Sequence, residues 1–451
     1  MVSKEVTQKG LDRLPSTVVD AGKAGMVTRL GLVKGRLIRD DMTRDGLIMV
    51  FFGMLTGLFN YLYQLSMGIM LTPAEFGTLF SLFSLFMIVW WFSQALQTPI
   101  AKFVSTYNAK GDLQKAADLW RYSLKRTLIV GGVVFIAAAA LSPVISSILK
   151  INNDAYPVVL FSAAVLALSV PVNNGTLRGL QRFVPLGISN GLLAFIKFSF
   201  AALLVGLGCG IYGGLVPIVL AYCVSFAVSL YFLRRLPPAN GKGFEMNGIR
   251  SYAGYSILAL AAFAILTNAD AVMAKYYLSA DSAGSYAAIA VLGKIALFAP
   301  AGVSIAMLPK ASALYETGRP HGAILKKSLT LVLLIGGAVV VFYLAFPHFI
   351  SDVVLRGKYD IAAADLFKYA VAMLLYASAF LLMNYSLALN RARKLAFALL
   401  LIAVLQVSLL VCFHQDISQM VNMVLISSTV CLALMIPLYL RLRNGTHPKT
   451  N

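Results

Sequence analysis

Asp270, in the stretch TNADAVMAK, places a carboxylate inside a run of apolar residues that opens near Gly254. Lys197, in LLAFIKFSFAALL, and Lys294, in VLGKIALF, sit in oily runs of the same kind. A carboxylate in such surroundings can exchange a proton, hold a cation or pair with an ammonium, and a lysine can hold an anion. An ionised group in hydrocarbon is costly, so it faces a protein interior or water and takes a partner. Two readings follow. In one, Asp270 and Lys294 form a structural ion pair between consecutive antiparallel helices, while Lys197 snorkels or bonds to carbonyls. In the other, the two lysines exceed the one aspartate and line a cavity of net positive charge that takes an anion. Asp270 then holds Lys294 when the site is empty, or carries a coupling proton or sodium ion.

Other candidates are less charged. Thr56, Asn60 and Gln64 recur at helical spacing and make one polar stripe, suited to sugar hydroxyls or water and equally to hydrogen bonding between helices. Trp90 and Trp91, with Tyr61 and Tyr63, offer rings that could stack on sugar C–H faces or pack against apolar neighbours. Pro171, Asn173, Asn174 and Asn384 are candidates for helix breaks that act as gates. Cys209, Cys223, Cys412 and Cys431 lack metal or redox spacing and read as packing residues. His414 stands by itself, and neither a P-loop nor a zinc pattern occurs, which weighs against an enzyme such as a glycan polymerase or ligase.

Membrane-spanning helices must carry these residues. The chain has 451 residues, of which 59% are hydrophobic and 12% charged, and its apolar runs are long enough to cross a hydrocarbon core of about 30 Å. Twelve spans are expected, near 47–71, 76–100, 127–149, 157–177, 184–207, 211–232, 255–278, 284–308, 329–346, 365–389, 395–413 and 418–440. At about 1.5 Å of rise per residue, Asp270 lies about 12 Å below the outer end of its span, and Lys294 and Lys197 lie about 15 Å deep, so the three share a level.

The net charge of +20 is not distributed as a nucleic-acid surface would be. Lys102, Lys110, Lys115, Arg121, Lys125 and Arg126 follow the second span, and Arg178 and Arg182 the fourth. Arg234, Arg235, Lys242 and Arg250 follow the sixth, then come Lys310, Arg319, Lys326 and Lys327, Arg391, Arg393 and Lys394, and finally Arg441, Arg443 and Lys449. These are alternate loops. The opposite loops are poor in basic residues except around Arg356 and Lys358. This is the positive-inside pattern of a cytoplasmic membrane protein with both termini in the cytoplasm. Residues 1–45 then form a basic tail rather than a cleaved signal, in which Lys23 to Arg39 alternate with apolar residues as a surface helix or a solvated tail. Residues 46–240 and 241–441 make two six-helix lobes, and 442–451 a second cytoplasmic tail.

The two halves repeat. LTPAEFGTLFSLFSLF from Leu71 aligns with LSADSAGSYAAIAVLG from Leu278, matching Gly77 to Gly284. Lys102 then falls on Lys310, Tyr107 on Tyr315, and Gly131 and Gly132 on Gly336 and Gly337. Six spans per repeat is an even number, so both halves enter the membrane in one orientation, as parallel repeats around a central site do.

On LTPAEFGTLFSL, KFVSTYNAKGDLQKA, GLGCGIYGGL and the stretch from Leu278 to Gly318, the chain resembles the polysaccharide biosynthesis proteins of the multidrug, oligosaccharidyl-lipid and polysaccharide exporter superfamily. The resemblance covers nearly everything after residue 45. It implies an all-α polytopic membrane protein of a bacterial or archaeal cytoplasmic membrane. In it, two six-helix lobes carry a polyprenyl-pyrophosphate-linked glycan between leaflets by alternating access. Membrane lipid and other polysaccharide assembly proteins are the implied partners. The chain departs from relatives that carry arginines in the first two spans. It also lacks the first-span acid of many drug exporters, which disfavours ion-coupled multidrug or cation export and leaves it open as the alternative.

Overall fold

The computed structural model describes residues 48–49, 51–238, 246–316, 320–347, 349–389 and 392–444. The 1–45 tail with its surface helix, the lobe boundary at 240/241, most of the 442–451 tail, and Lys242, Arg319 and Arg391 lie outside the described residues. The chain divides into two compact units, Met1–Met54 and Leu55–Asn451. In the first, residues 51–54 are helical. The second contains both halves of the repeat, and everything below concerns it.

Where water is absent, a helix satisfies its own backbone groups, and helix is the only regular structure among the described residues. Helix α1 covers 55–70. It is followed by α2 (Pro73–Ala109), α3 (Leu113–Ala140), α4 (Ala155–Gly179), α5 (Phe183–Gly206) and α6 (Gly210–Leu233). The second half comprises α7 (Met246–Tyr277), α8 (Ala280–Ser312), α9 (Gly322–Ala345), α10 (Ala363–Ala388), α11 (Ala392–Cys412) and α12 (Ile417–Asn444). Eleven of these, α2 to α12, contain segments long and apolar enough to cross a membrane, and α1 stands where the first of the twelve expected spans falls. The fold is all-α and polytopic.

Several helices outrun their apolar stretches at the basic end. The third starts at Leu113 rather than Thr127, because Asp112 accepts the Lys115 N–H at 3.1 Å and caps it. Lys115, Arg121, Lys125 and Arg126 therefore sit on helix, not in a loop. Likewise α2 continues past Ile100 to Ala109. Hydropathy marks the apolar stretch alone, and these helices extend beyond it.

The suspected gates resolve differently. A break falls in α4 just ahead of Pro171, at Leu168 and Ser169, but Asn173 and Asn174 tie helices together. Asn173 accepts from Trp120 Nε1 of α3 and donates to Ser229 Oγ of α6, both at 2.8 Å, and Asn174 donates to Asn190 of α5 at 2.8 Å. Asn384 lies within unbroken α10. Breaks not foreseen fall in α4 at Ala163 and in α8 at Lys294 and at Ala299–Pro300, the last where proline has no N–H to give the preceding turn.

The repeat is visible in the packing. A Cβ on Gly77 of α2 would lie 2.8 Å from the Gly284 nitrogen of α8, and one on Gly284 would lie 2.1 Å from the Pro73 carbonyl oxygen. Repeat-equivalent glycines thus touch each other, as residues beside a two-fold axis do, and any side chain there would collide with backbone. Gly131 packs on Val165 of α4 and its equivalent Gly336 on Leu374 of α10, while Gly132 and Gly337 both have open space beside them. The Gly77–Gly284 contact joins the halves at the ends of α2 and α8 remote from Lys102 and Lys310.

Candidate functional site

In the second half the site is built on α7. Asp270 is fully buried, and two tyrosine hydroxyls donate to its Oδ2, Tyr286 of α8 at 2.9 Å and Tyr369 of α10 at 2.6 Å. Their rings meet edge to face with centroids 6.0 Å apart. Gly293 makes room for this arrangement, since a Cβ there would lie 2.4 Å from Tyr369 Cδ1. The other carboxylate oxygen, Oδ1, is buried with no hydrogen-bond partner. Buried polar atoms in folded proteins nearly always have partners, and Oδ1 is one of the exceptions among the described residues.

The expected ion pair between Asp270 and Lys294 does not form. Lys294 Nζ donates instead to Asn268 Oδ1 at 3.3 Å. On the α8 side the carboxylate is taken by Tyr286, and Asp270 acts on Lys294 as a charge at longer range than a direct bond. Asn268 itself donates to the Ala264 carbonyl at 3.0 Å and to Thr267 Oγ1 at 3.1 Å. A second polar cluster lies on the same helices. Tyr376 of α10 donates to Gln406 Oε1 of α11 at 2.5 Å, Ser427 of α12 donates to the same oxygen at 3.1 Å, and Gln406 Nε2 donates to the Leu266 carbonyl of α7 at 2.9 Å.

In the first half, Lys197 of α5 reaches the α1 stripe. Its Nζ donates to Asn60 Oδ1 at 2.5 Å and lies 4.7 Å from the Tyr63 ring centre and 5.4 Å from that of Phe83. Asn60 donates in turn to the Thr56 carbonyl at 2.9 Å. Thr56 Oγ1 is buried without a partner, and Gln64 is half-buried one turn beyond Asn60. The structure therefore brings Lys197 to Asn60 and places the rest of the stripe alongside.

Both lysines lean on α2. Lys294 Nζ lies 5.1 Å from the Phe80 ring centre, and Phe80 and Phe83 are one helical turn apart. Lys197 is 5% exposed and Lys294 7%, so two lysine amino groups, one from each half, are buried against the same turn of one helix. Each donates to the amide oxygen of an asparagine. An ammonium has three donors, and a neutral amide supplies no counter-charge; the one acid that acts on Lys294 is Asp270, through space.

Trp91 packs edge to face between Phe263 of α7 and Phe380 of α10, at 6.1 and 6.0 Å, and against Trp90 at 5.4 Å. It joins the halves near their middle, which commits one of the two rings considered for sugar contact to packing. Tyr286, Tyr369, Asn268 and Gln406 are absent from the sequence-based candidates. The available signal for Tyr286 is a phenol among small residues in SAGSYAAIA, where a buried hydroxyl needs an acceptor.

Residues 42–314 match the family described as polysaccharide biosynthesis protein. No curated protein matches the chain. Among solved structures, the chain is similar to the inward-facing conformation of a multidrug resistance MATE family transporter of the MOP superfamily. There the identity is 16%, 88% of this chain and 97% of that chain are covered, and the TM-score is 0.70. It is also similar to an outward-facing conformation of such a transporter, with 18% identity, coverage of 89% and 94%, and a TM-score of 0.63. A third is a MOP superfamily transporter from Pyrococcus furiosus, with 16% identity, coverage of 88% and 96%, and a TM-score of 0.62. At these identities the likeness shows the fold.

Proposed function

The chain belongs to the polysaccharide biosynthesis protein family, and on that premise we propose that it is a flippase. Its cargo is a polyprenyl-pyrophosphate-linked oligosaccharide, moved from the cytoplasmic to the outer leaflet by alternating access of the two halves. One observation carries this reading: Lys197 and Lys294, one per half, converge on the Phe80–Phe83 turn with only amide oxygens as hydrogen-bond acceptors. A pyrophosphate brings the counter-charge that the asparagines lack, and charge-assisted bonds to phosphate oxygens are the stronger kind. The prenyl chain, being apolar, stays in lipid. Thr56, Asn60 and Gln64 offer an amide-and-hydroxyl stripe to the first sugars, and Trp90 is the ring left for a sugar face. Asp270, through Oδ1, takes the coupling proton or sodium ion. The basic loops face the cytoplasm with both termini, which puts Gly77 and Gly284 near the outer face. Other polysaccharide assembly proteins supply the lipid-linked glycan and receive it.

A second reading, an ion-coupled multidrug or cation exporter, draws on Asp270 alone, since a buried acid with an unpartnered oxygen also suits a cationic cargo. The two are separated by deleting the gene and assigning lipid-linked glycans to leaflets with an impermeant probe. The flippase reading expects accumulation on the cytoplasmic side, unrelieved by Lys197→Gln or Lys294→Gln protein present at the parent level. An unchanged glycan pool together with altered dye efflux would replace the flippase with the exporter.

A further inference from the structure

The last turn of a helix leaves carbonyls that no later N–H of the same helix can reach. At the end of α1, the Leu71 N–H takes the Met67 carbonyl at 3.0 Å. The next carbonyls are taken by the other half of the chain. Lys358 Nζ, from the connection between α9 and α10, donates to the Ile69 carbonyl at 3.1 Å and to that of Leu71, and the Tyr359 hydroxyl donates to the Gly68 carbonyl. The Tyr359 ring meets Phe76 of α2 edge-on at 6.1 Å. An ammonium at a helix C-terminus also sits at the favourable end of the helix dipole.

The local chain is shaped for this contact. Arg356 and Gly357 hold φ of 57° and 64°, a left-handed turn that places Lys358 and Tyr359 directly after a reversal. Only Leu71 and Thr72 join α1 to α2, and Thr72 and Glu75 form a capping box there, with bonds of 2.9 and 3.3 Å. Burial pushes the Lys358 ammonium below its ordinary value, and the nearby Glu75 carboxylate partly offsets this. At the same end, Lys150 of the first half lies 5.8 Å from the Tyr276 ring centre of the second, and Gly77 meets Gly284.

We propose that Lys358 and Tyr359 are a releasable latch that holds the two halves together at this end by capping α1 from the opposite half. Bonds to carbonyls suit release, because water takes over the same acceptors once the end opens. A closure made only of buried apolar surface has no such substitute. That this end faces outward rests on the charge asymmetry of the loops; the latch does not.

The test uses full-length protein with its own cysteines replaced and Ala283→Cys introduced. Ala283 is 3% exposed and lies beside Gly77. A buried thiol reacts with a maleimide in proportion to the population in which it is open. Lys358→Met combined with Tyr359→Phe should raise the reaction rate of purified protein by about tenfold or more, with each single variant intermediate. An unchanged rate in monodisperse double variant overturns the latch, and if that variant is not recovered folded, an unchanged rate in both singles does the same. Asp281→Cys, labelled in intact cells with an impermeant reagent, reports which side this end faces. A wrong orientation is thereby distinguished from an absent latch.

Discussion

Asp270→Asn separates a structural acid from a coupling one. Both tyrosine hydroxyls donate to Oδ2, at 2.9 and 2.6 Å, and Oδ1 accepts nothing. An asparagine with its carbonyl oxygen at the Oδ2 position keeps both donors satisfied, while its amide N–H groups stand where Oδ1 has no partner and cost about 1–3 kcal/mol if they find no acceptor. Charge changes as well. Lys294 lies outside ion-pair distance, so beyond about 4 Å and at an effective dielectric of about 20 the attraction is below about 4 kcal/mol. The desolvation of a buried carboxylate opposes folding by several kcal/mol. The two terms oppose each other, and the asparagine variant should be destabilised less than the alanine variant. Alanine leaves two buried hydroxyls without an acceptor and should cost about 2–4 kcal/mol, at about 1–2 kcal/mol each. Reversible unfolding in mixed micelles reads these energies, and transport measured across pH and sodium concentration reads the coupling. Asparagine is expected to be more stable than alanine and to lose the ion dependence. If it is as destabilised as alanine, the charge itself holds the fold and Asp270 is a tether; if it keeps the ion dependence, Asp270 is not the coupling site.

Gly293→Ala sets a Cβ 2.4 Å from Tyr369 Cδ1, which should cost about 1–3 kcal/mol as overpacking and weaken ion dependence in the same transport assay; unchanged stability would mean that the Tyr369 ring is not fixed against α8. For topology, single cysteines at Lys110, Arg234 and Lys326, all exposed at the basic end, should be protected from an impermeant thiol reagent in intact cells, whereas Asp281 and Asp416 should label. Reversal at two or more of these sites would invert the proposed orientation.

The sequence marks the charged residues more readily than it assigns their partners. Asp270, Lys197 and Lys294 are conspicuous because hydrocarbon tolerates them poorly, and the depth arithmetic that sets them on one level agrees with the Phe80–Phe83 turn, on which both lysines lean. Pairing is another matter. Proximity in depth does not say which side chains meet, and Lys294 meets Asn268 rather than Asp270. Tyr286 and Tyr369 count as apolar in a hydropathy reading, so the hydroxyls that hold the acid are invisible there. Asn60 stands out as part of a stripe, but the distance in sequence to Lys197 gives no sign of contact. Lys358, an exception to the charge asymmetry of the loops, is accounted for by the carbonyls at the end of α1, which only the fold brings within reach.

How the site would drive alternating access follows from which half owns each cation. A ligand shifts a conformational equilibrium only by its difference in affinity for the two states. Lys197, Asn60, Tyr63 and Phe83 all belong to the first half and keep their mutual contacts when the halves move apart. Lys294 belongs to the second half, and its place beside Phe80 exists only while α8 lies against α2. In the proposed cycle, an anion held by both ammoniums therefore favours the arrangement in which α2 and α8 meet and loses one charged partner when they separate. A charged hydrogen bond is worth about 1.5–3 kcal/mol, which is a difference of roughly tenfold to 150-fold in affinity between the states. That is enough to bias capture toward one state and release toward the other. It also explains why the second cation needs a neutral partner: a carboxylate bonded to Lys294 in the empty state would compete with the pyrophosphate for the ammonium whose loss on separation promotes release.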